Sequence, residues 1–150
     1  MILADPLRRQ PHELGAVIIA TGFTAGVPWY RMAPGADTAN VKEQTSVDTS
    51  LLSRYRDFIH LRQQTPALAV GDLQFVTVDG AQWRALGYLR TEADQRVLVV
   101  HNLGDKPATL SWSVDGEPDY GILWGDRGVG LPAMNAITMP AHATGVWELR

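Results

Sequence analysis

Ser50–Gln64, SLLSRYRDFIHLRQQ, is the one stretch of the chain with an unmistakable period. Leu51, Leu52, Tyr55, Phe58 and Ile59 follow the i, i+1, i+4, i+7, i+8 series of an amphipathic helix, and Arg54, Arg56, Asp57, His60 and Gln63 fill the other side. Asp48 or Ser50 is placed to cap its start by accepting a backbone N–H. Pro66 stops it, because the residue before a proline is pushed out of the α region. An apolar stripe of this kind must be covered, so the rest of the chain is read for what covers it.

Upstream the pattern is loop-rich. Residues 1–15 hold Pro6, Pro11 and scattered charges, and Val17–Ala20 reads as one short strand. Gly22-Phe23-Thr24-Ala25-Gly26-Val27-Pro28-Trp29-Tyr30 alternates small residues with aromatics. It is either an ordered loop whose rings pack on a neighbour or a loop shaped for a ligand, with Phe23, Trp29 or Tyr30 as a platform. Pro34-Gly35-Ala36-Asp37 is a turn, and Asn40–Val47 is an irregular lead into the helix.

Downstream of Pro66 the period becomes two. Leu73–Val78 reads as a strand, Asp79-Gly80 as a hairpin turn, and Gln82–Arg90 as the returning partner. On that partner Trp83, Ala85, Gly87 and Leu89 share one face, and Arg84, Leu86, Tyr88 and Arg90 the other. Val97–Asn102 is apolar almost throughout, as a central strand should be. Leu110, Trp112 and Val114 alternate with serines. Tyr120–Trp124, Ala136–Met139 and Thr144–Leu149 complete the set, with turns and a glycine-rich loop at Gly125–Gly130 between them. Short strands at regular spacing predict a mainly β, antiparallel sandwich preceded by one helix.

Composition excludes several function classes. The 150 residues are 45% hydrophobic and 19% charged with a net charge of −3, so neither disorder nor electrostatic binding of nucleic acid or an anionic membrane is indicated. Cysteine is absent, which removes disulfides and thiolate sites. The longest apolar run, Ala16–Ala20, is too short to span a bilayer. Arg8-Arg9 ahead of Leu14–Ala20 makes a poor export signal, interrupted by Pro11, His12 and Glu13, and this favours the cytoplasm.

Residues placed for chemistry are few. His12, His60, His101 and His142 stand at no metal-ligand spacing, and no metal or other cofactor is expected. Glu92/Asp94 and Asp115/Glu117/Asp119 fall in turns, where solvation accounts for them. The glycine-rich loop lacks the Lys-Ser/Thr and the following helix of a phosphate loop. Trp83, Trp112 and Trp147 sit on strand faces, while Trp29 and Trp124 adjoin loops and could stack on a sugar ring.

Several of these segments, in this order, resemble the carboxy-terminal part of the α-amylase superfamily, nearest its oligo-1,6-glucosidase, α-glucosidase and trehalose-synthase branch. They are Gly22–Trp29, Asn40-Val41 with Gln44, Ser50–Arg56 through Leu61-Arg62, Pro66-Ala67-Leu68, Gly71-Asp72, Val99–Leu103 with Pro107, and Pro140–Leu149. The resemblance implies that residues 1–65 are a remnant of the end of a catalytic (β/α)8 barrel, its last loop and helix. Residues 66–150 would then be the Greek-key β-sandwich that follows. It implies a non-catalytic accessory domain whose partner is that barrel; the alternative is a carbohydrate-binding module holding α-glucans on Phe23, Trp29, Tyr30 and Trp124. The family's catalytic carboxylates lie on earlier barrel strands, and no counterpart of those motifs occurs here. Arg8-Arg9-Gln10-Pro11 is a ruin of the R-T-P-M-Q-W-like segment that usually precedes the loop. Retaining glycosidases need two carboxyl groups about 5 Å apart on a rigid scaffold, so no glycosidase activity is expected.

Without a barrel, Leu51, Leu52, Tyr55, Phe58 and Ile59 form an interface looking for a partner, and a homodimer with C2 symmetry is the commonest closed solution. Light scattering of the purified chain should therefore show self-association that rises with concentration; a monomer persisting at high concentration counts against it.

Overall fold

The computed structural model describes residues 34–36, 39–81, 84–116 and 119–150. The strand expected at Val17–Ala20, the loop Gly22–Tyr30 and Trp83 lie outside the described residues. The chain divides into two units, Met1–Phe58 and Ile59–Arg150.

In the first unit, a turn at Gly35 leads to a short helix, α1 (Val41–Thr45). The sequence reading had an irregular lead there. The helix forms because Asn40 caps it, its side-chain oxygen accepting the Glu43 N–H at 3.0 Å. The long helix α2 (Leu51–Gln64) begins in this unit. Ser50 is its cap, Oγ accepting the Ser53 N–H at 3.2 Å, and Gln44 Oε1 accepts the Leu52 N–H at 2.9 Å. Two of the first-turn donors are thus satisfied by residues outside the helix.

In the second unit α2 ends at Gln64, Thr65 turns the chain in extended conformation, and a one-turn helix α3 (Pro66–Val70) follows with Pro66 at its first position. Eight antiparallel strands come next: β1 (Asp72–Val76), β2 (Val78–Asp79), β3 (Ala85–Glu92), β4 (Gln95–Asn102), β5 (Ala108–Trp112), β6 (Tyr120–Gly125), β7 (Ala136–Met139) and β8 (Thr144–Leu149). They form a five-stranded sheet in the order β1-β3-β4-β8-β6 and a three-stranded sheet in the order β2-β5-β7. The mainly β antiparallel architecture is the one expected, and the strands at Ala136–Met139 and Thr144–Leu149 have the expected bounds.

The first hairpin differs from its sequence reading. Val76 pairs with Gly87, after which the chain leaves the larger sheet, and Val78 and Asp79 pair with Trp112 and Ser111 in the smaller one. Asp79-Gly80 is a corner between sheets, not a hairpin tip. Two glycines permit it. At Gly87 any Cβ would collide with the Val78 side chain crossing above it, and Gly80 runs against the Thr109 carbonyl at φ +103°.

Between the sheets lies the main core: Leu89, Leu98, Val100, Trp147 and Leu149 from one, Leu110, Trp112 and Met139 from the other. Trp112 and Trp147 stack with ring centroids 6.0 Å apart, and Tyr120 meets Trp112 edge-on at 6.2 Å. Their polar atoms are satisfied, as buried ones must be. Trp112 Nε1 donates to Tyr120 Oη at 3.0 Å, Tyr120 Oη donates to Asn135 Oδ1 at 2.6 Å, and Trp147 Nε1 donates to the Gly130 carbonyl at 2.9 Å.

Asn102, 1% exposed at the end of β4, closes this end of the sandwich. Its Nδ2 donates its two hydrogens to the carbonyls of Lys106 at 2.9 Å and Pro140 at 2.8 Å, sharing one with the Met139 carbonyl at 3.3 Å, while Oδ1 accepts the Gly104 N–H at 3.0 Å. One amide therefore joins the turn after β4 to the turn after β7. Asn102→Ala should cost about 3 kcal/mol, since several buried groups lose their partner at once, and lower the melting temperature by on the order of 10 °C. Asn102→Asp should cost as much at neutral pH, where a carboxylate would face carbonyl oxygens, and recover part of the loss in acid. Thermal unfolding by circular dichroism reads both.

Candidate functional site

β4 is buried on both sides: Val97, Leu98, Val99 and Val100 are all at most 3% exposed. Leu98 and Val100 face the core, so Val97 and Val99 define an outer face. Register extends that face: Arg90, Tyr88 and Leu86 of β3 lie opposite Val97, Val99 and His101, and Leu73 and Phe75 of β1 lie opposite Arg90 and Tyr88. Glu148, Val146 and Thr144 of β8 continue it on the other side.

The helices cover part of it. Ala67, Val97, Val99 and Val146 form a second buried cluster, with Leu61, Leu68, Tyr88, Leu123 and Trp124 packed around them. Gln95 ties the cover down at one end. Its Oε1 accepts the Ala67 N–H at 3.0 Å and its Nε2 donates to Glu148 Oε1 at 3.1 Å. That bond, with a second from Arg150, holds the Glu148 carboxyl below its ordinary range.

The opposite end is polar and aromatic. His101 Nδ1 lies 2.8 Å from Thr144 Oγ1, and its ring is 5.8 Å from that of Tyr88. The Thr144 N–H donates to Asp126 Oδ2 at 2.9 Å. Burial pushes the His101 pKa down, partly opposed by the negative charge of Asp126. Burial likewise pushes the Tyr88 hydroxyl up, against the pull of Arg90. The set holds one imidazole, two hydroxyls and one carboxylate, with the carboxylate engaged by main chain. It has no second carboxylate for glycosidic acid–base work. Asp94 and Asp115 are exposed in turns, and no group of three His, Asp or Glu among the described residues is arranged to hold a metal ion.

Of the sugar-platform residues read from the sequence, Phe23, Trp29 and Tyr30 lie outside the described residues. Trp124 is half-buried on β6 and packs against the second cluster. On the helix, Leu51, Tyr55, Phe58 and Ile59 are exposed and Leu52 is partly buried. The outer sheet face itself was not singled out from the sequence. Its signal was there in Val97 and Val99: apolar residues at consecutive positions of one strand demand cover on two sides.

The comparisons with known proteins concern this same segment. Residues 86–146 match the family model of the α-amylase SusG C-terminal domain. A probable α-glucosidase of Rhizobium meliloti (strain 1021) is 33% identical over 88 residues, 59% of this chain and 15% of that protein. Probable oligo-1,6-glucosidase 2 of Bacillus subtilis (strain 168) is 32% identical over 91 residues, 61% of this chain and 16% of that protein. Among solved structures, the trehalulose synthase MutB from Pseudomonas mesoacidophila MX-45 superposes with a TM-score of 0.75 at 25% identity, over 88% of this chain and 24% of that one. The chain thus spans about a sixth of the curated relatives it matches. No helix among the described residues is long and apolar enough to cross a membrane.

His101 gives the site a pH signature. Its folded pKa lies below the unfolded value of 6.5, so the unfolded chain binds the extra proton. Its contribution to stability is full above that value and is lost as pH falls through the folded pKa. Melting temperature should therefore fall between pH 7.5 and pH 5.5, before Glu148 begins to contribute, and His101→Gln should flatten the slope in that window.

Proposed function

We propose that this chain, whose sandwich matches the carboxy-terminal domain of α-amylase-family glucosidases, is a non-catalytic accessory domain that stabilises a catalytic (β/α)8 barrel acting on α-glucosides in the cytoplasm. In this reading residues 1–65 are the end of the barrel and residues 66–150 the sandwich. The observation that carries it is the apolar centre of the larger sheet's outer face, where Val97, Val99 and Val146 are packed against Leu61, Ala67 and Leu68 of the segment that resembles the last barrel helix and its exit. The likeness of the segment to the tails of far longer glucosidases supports the same reading. The alternative, a module that binds α-glucans through exposed aromatics, has less support, because the ring of Trp124 packs against the second cluster.

The test is a graft. Ile59–Arg150 placed in the Bacillus subtilis relative, in exchange for its matching segment, should give a folded, active enzyme with a melting temperature well above that of the same enzyme cut short. The isolated chain should turn over no p-nitrophenyl α-glucoside above a matched blank. It should also show no saturable change in tryptophan fluorescence with millimolar maltooligosaccharides. Turnover by the chain alone would sink the accessory reading. Saturable sugar binding lost in Trp29→Ala or Trp124→Ala would replace it with the alternative.

A further inference from the structure

The turn that leads into β7 holds a methionine out of the fold. Ala133 and Ala136 exchange both main-chain hydrogen bonds, at 2.9 and 3.0 Å, and φ is positive at the two residues between them, +49° at Met134 and +58° at Asn135. Positive φ at both central positions marks the tight type I′ turn, which asparagine and glycine enter at little cost and a long side chain such as methionine does not. Asn135 keeps the turn in place. Its Oδ1 accepts the Tyr120 hydroxyl at 2.6 Å and its carbonyl accepts the Trp112 N–H at 3.0 Å, so the turn is fastened to two aromatics of the core. Met134 is left at the tip, 98% exposed.

The composition of the chain gives that position a meaning. Thiolates are ordinarily the first groups a hydroperoxide attacks, and the 150 residues include no cysteine. Thioethers come next, and there are four. Met1 and Met32 lie outside the described residues. The other two stand at opposite extremes, Met134 in water and Met139 at 0% exposure between the sheets. A peroxide reaches the first in the folded state and the second only when the sandwich opens. A sulfoxide is polar, so at Met139 it would break the packing, whereas at Met134 it meets solvent.

We propose that Met134 is a site of reversible oxidation to the sulfoxide, a surface sulfur that takes the oxygen of a hydroperoxide while the core is spared. The sulfur lone pair attacks the terminal oxygen of the peroxide, and an S–O bond forms as the O–O bond breaks. The proton of that terminal hydroxyl passes to the leaving oxygen, which departs as water or an alcohol. Sulfur gives up two electrons and the peroxide gains them. A reductase with a pair of thiols runs the step back: the oxygen leaves as water and the thiols become a disulfide. Neither reagent needs the fold to open, because the turn already presents the thioether. The site belongs to the sandwich itself and does not require the accessory reading above.

The experiment exposes the full chain to hydrogen peroxide and locates the added oxygen by mass spectrometry, fragmenting the peptide that carries both residues. The folded chain should take oxygen at Met134 at a rate within about twofold of that in denaturant, and at Met139 at least about tenfold more slowly than in denaturant. Met134→Leu should abolish the folded-state uptake by this peptide. Chain oxidised at Met134 should melt within about a degree of the untreated chain. The two methionine sulfoxide reductases, one for each epimer, should remove the oxygen from the folded chain when supplied with dithiothreitol. Protection of Met134 in the folded chain would mean that something covers it, a second copy included, and would overturn the proposal. A melting temperature lowered by several degrees in chain oxidised at Met134 alone would overturn it too, because oxidation there would be damage. So would a sulfoxide that the reductases remove only after unfolding.

Discussion

The structure depends on β4 being apolar on both sides. A half-buried strand needs one neighbour layer; Val97, Leu98, Val99 and Val100 together need two. The three-stranded sheet supplies the first through Leu110, Trp112 and Met139. The end of α2 and the turn of α3 supply the second through Leu61, Ala67 and Leu68. Remove the helical cover and Val97 and Val99 are left in water. The helix is therefore more than a neighbour of the sandwich; its last residues are part of what makes the larger sheet stable. Burying a side chain of Val or Leu size is worth roughly 1.5–3 kcal/mol, so this thin layer is comparable in value to much of a small domain's net stability.

How the chain divides its polar groups follows from the same constraint. On the core side the indoles of Trp112 and Trp147 and the Tyr120 phenol find a named partner, and Asn102 meets four main-chain groups with one side chain. On the outer side the polar groups stand at the margins of the helical cover, Gln95 and Glu148 at one end and His101 and Thr144 at the other. The exception is Arg90, with a buried nitrogen and nothing bound to it.

Much of this was legible in the sequence because it is local. Alternation placed Leu110 and Trp112 inward and Ser111 and Ser113 outward, and the structure agrees. Pro66 ended the long helix where expected, though the chain takes one further helical turn, because proline is well suited to a first helical position. What the sequence concealed was non-local. Asp79-Gly80 has the composition of a hairpin tip, and only the pairing of Val78 with Trp112, far along the chain, makes it a corner. Asn102 looked like one more polar residue at a strand end, and its importance depends on carbonyls some 37 residues away. The pairing of Leu73–Val78 with the strand that ends near Arg90 was expected, but the register that sets Leu73 opposite Arg90 and Phe75 opposite Tyr88 was not.

The place of β8 has a consequence for how the protein is made. It is the last of the described strands in chain order, yet it lies between β4 and β6, and among the described residues it is the one neighbour β6 has in the sheet. As a ribosome delivers the chain from its amino end, β3 and β4 pair soon after they emerge, while β6 waits with two open edges until residues 144–149 arrive. Until then the growing chain carries Tyr120–Gly125 as an unpaired strand, beside an unfilled slot that fits an extended segment from any source. The interval is short, but it is when a nascent chain is most exposed to pairing with its neighbour on the same message.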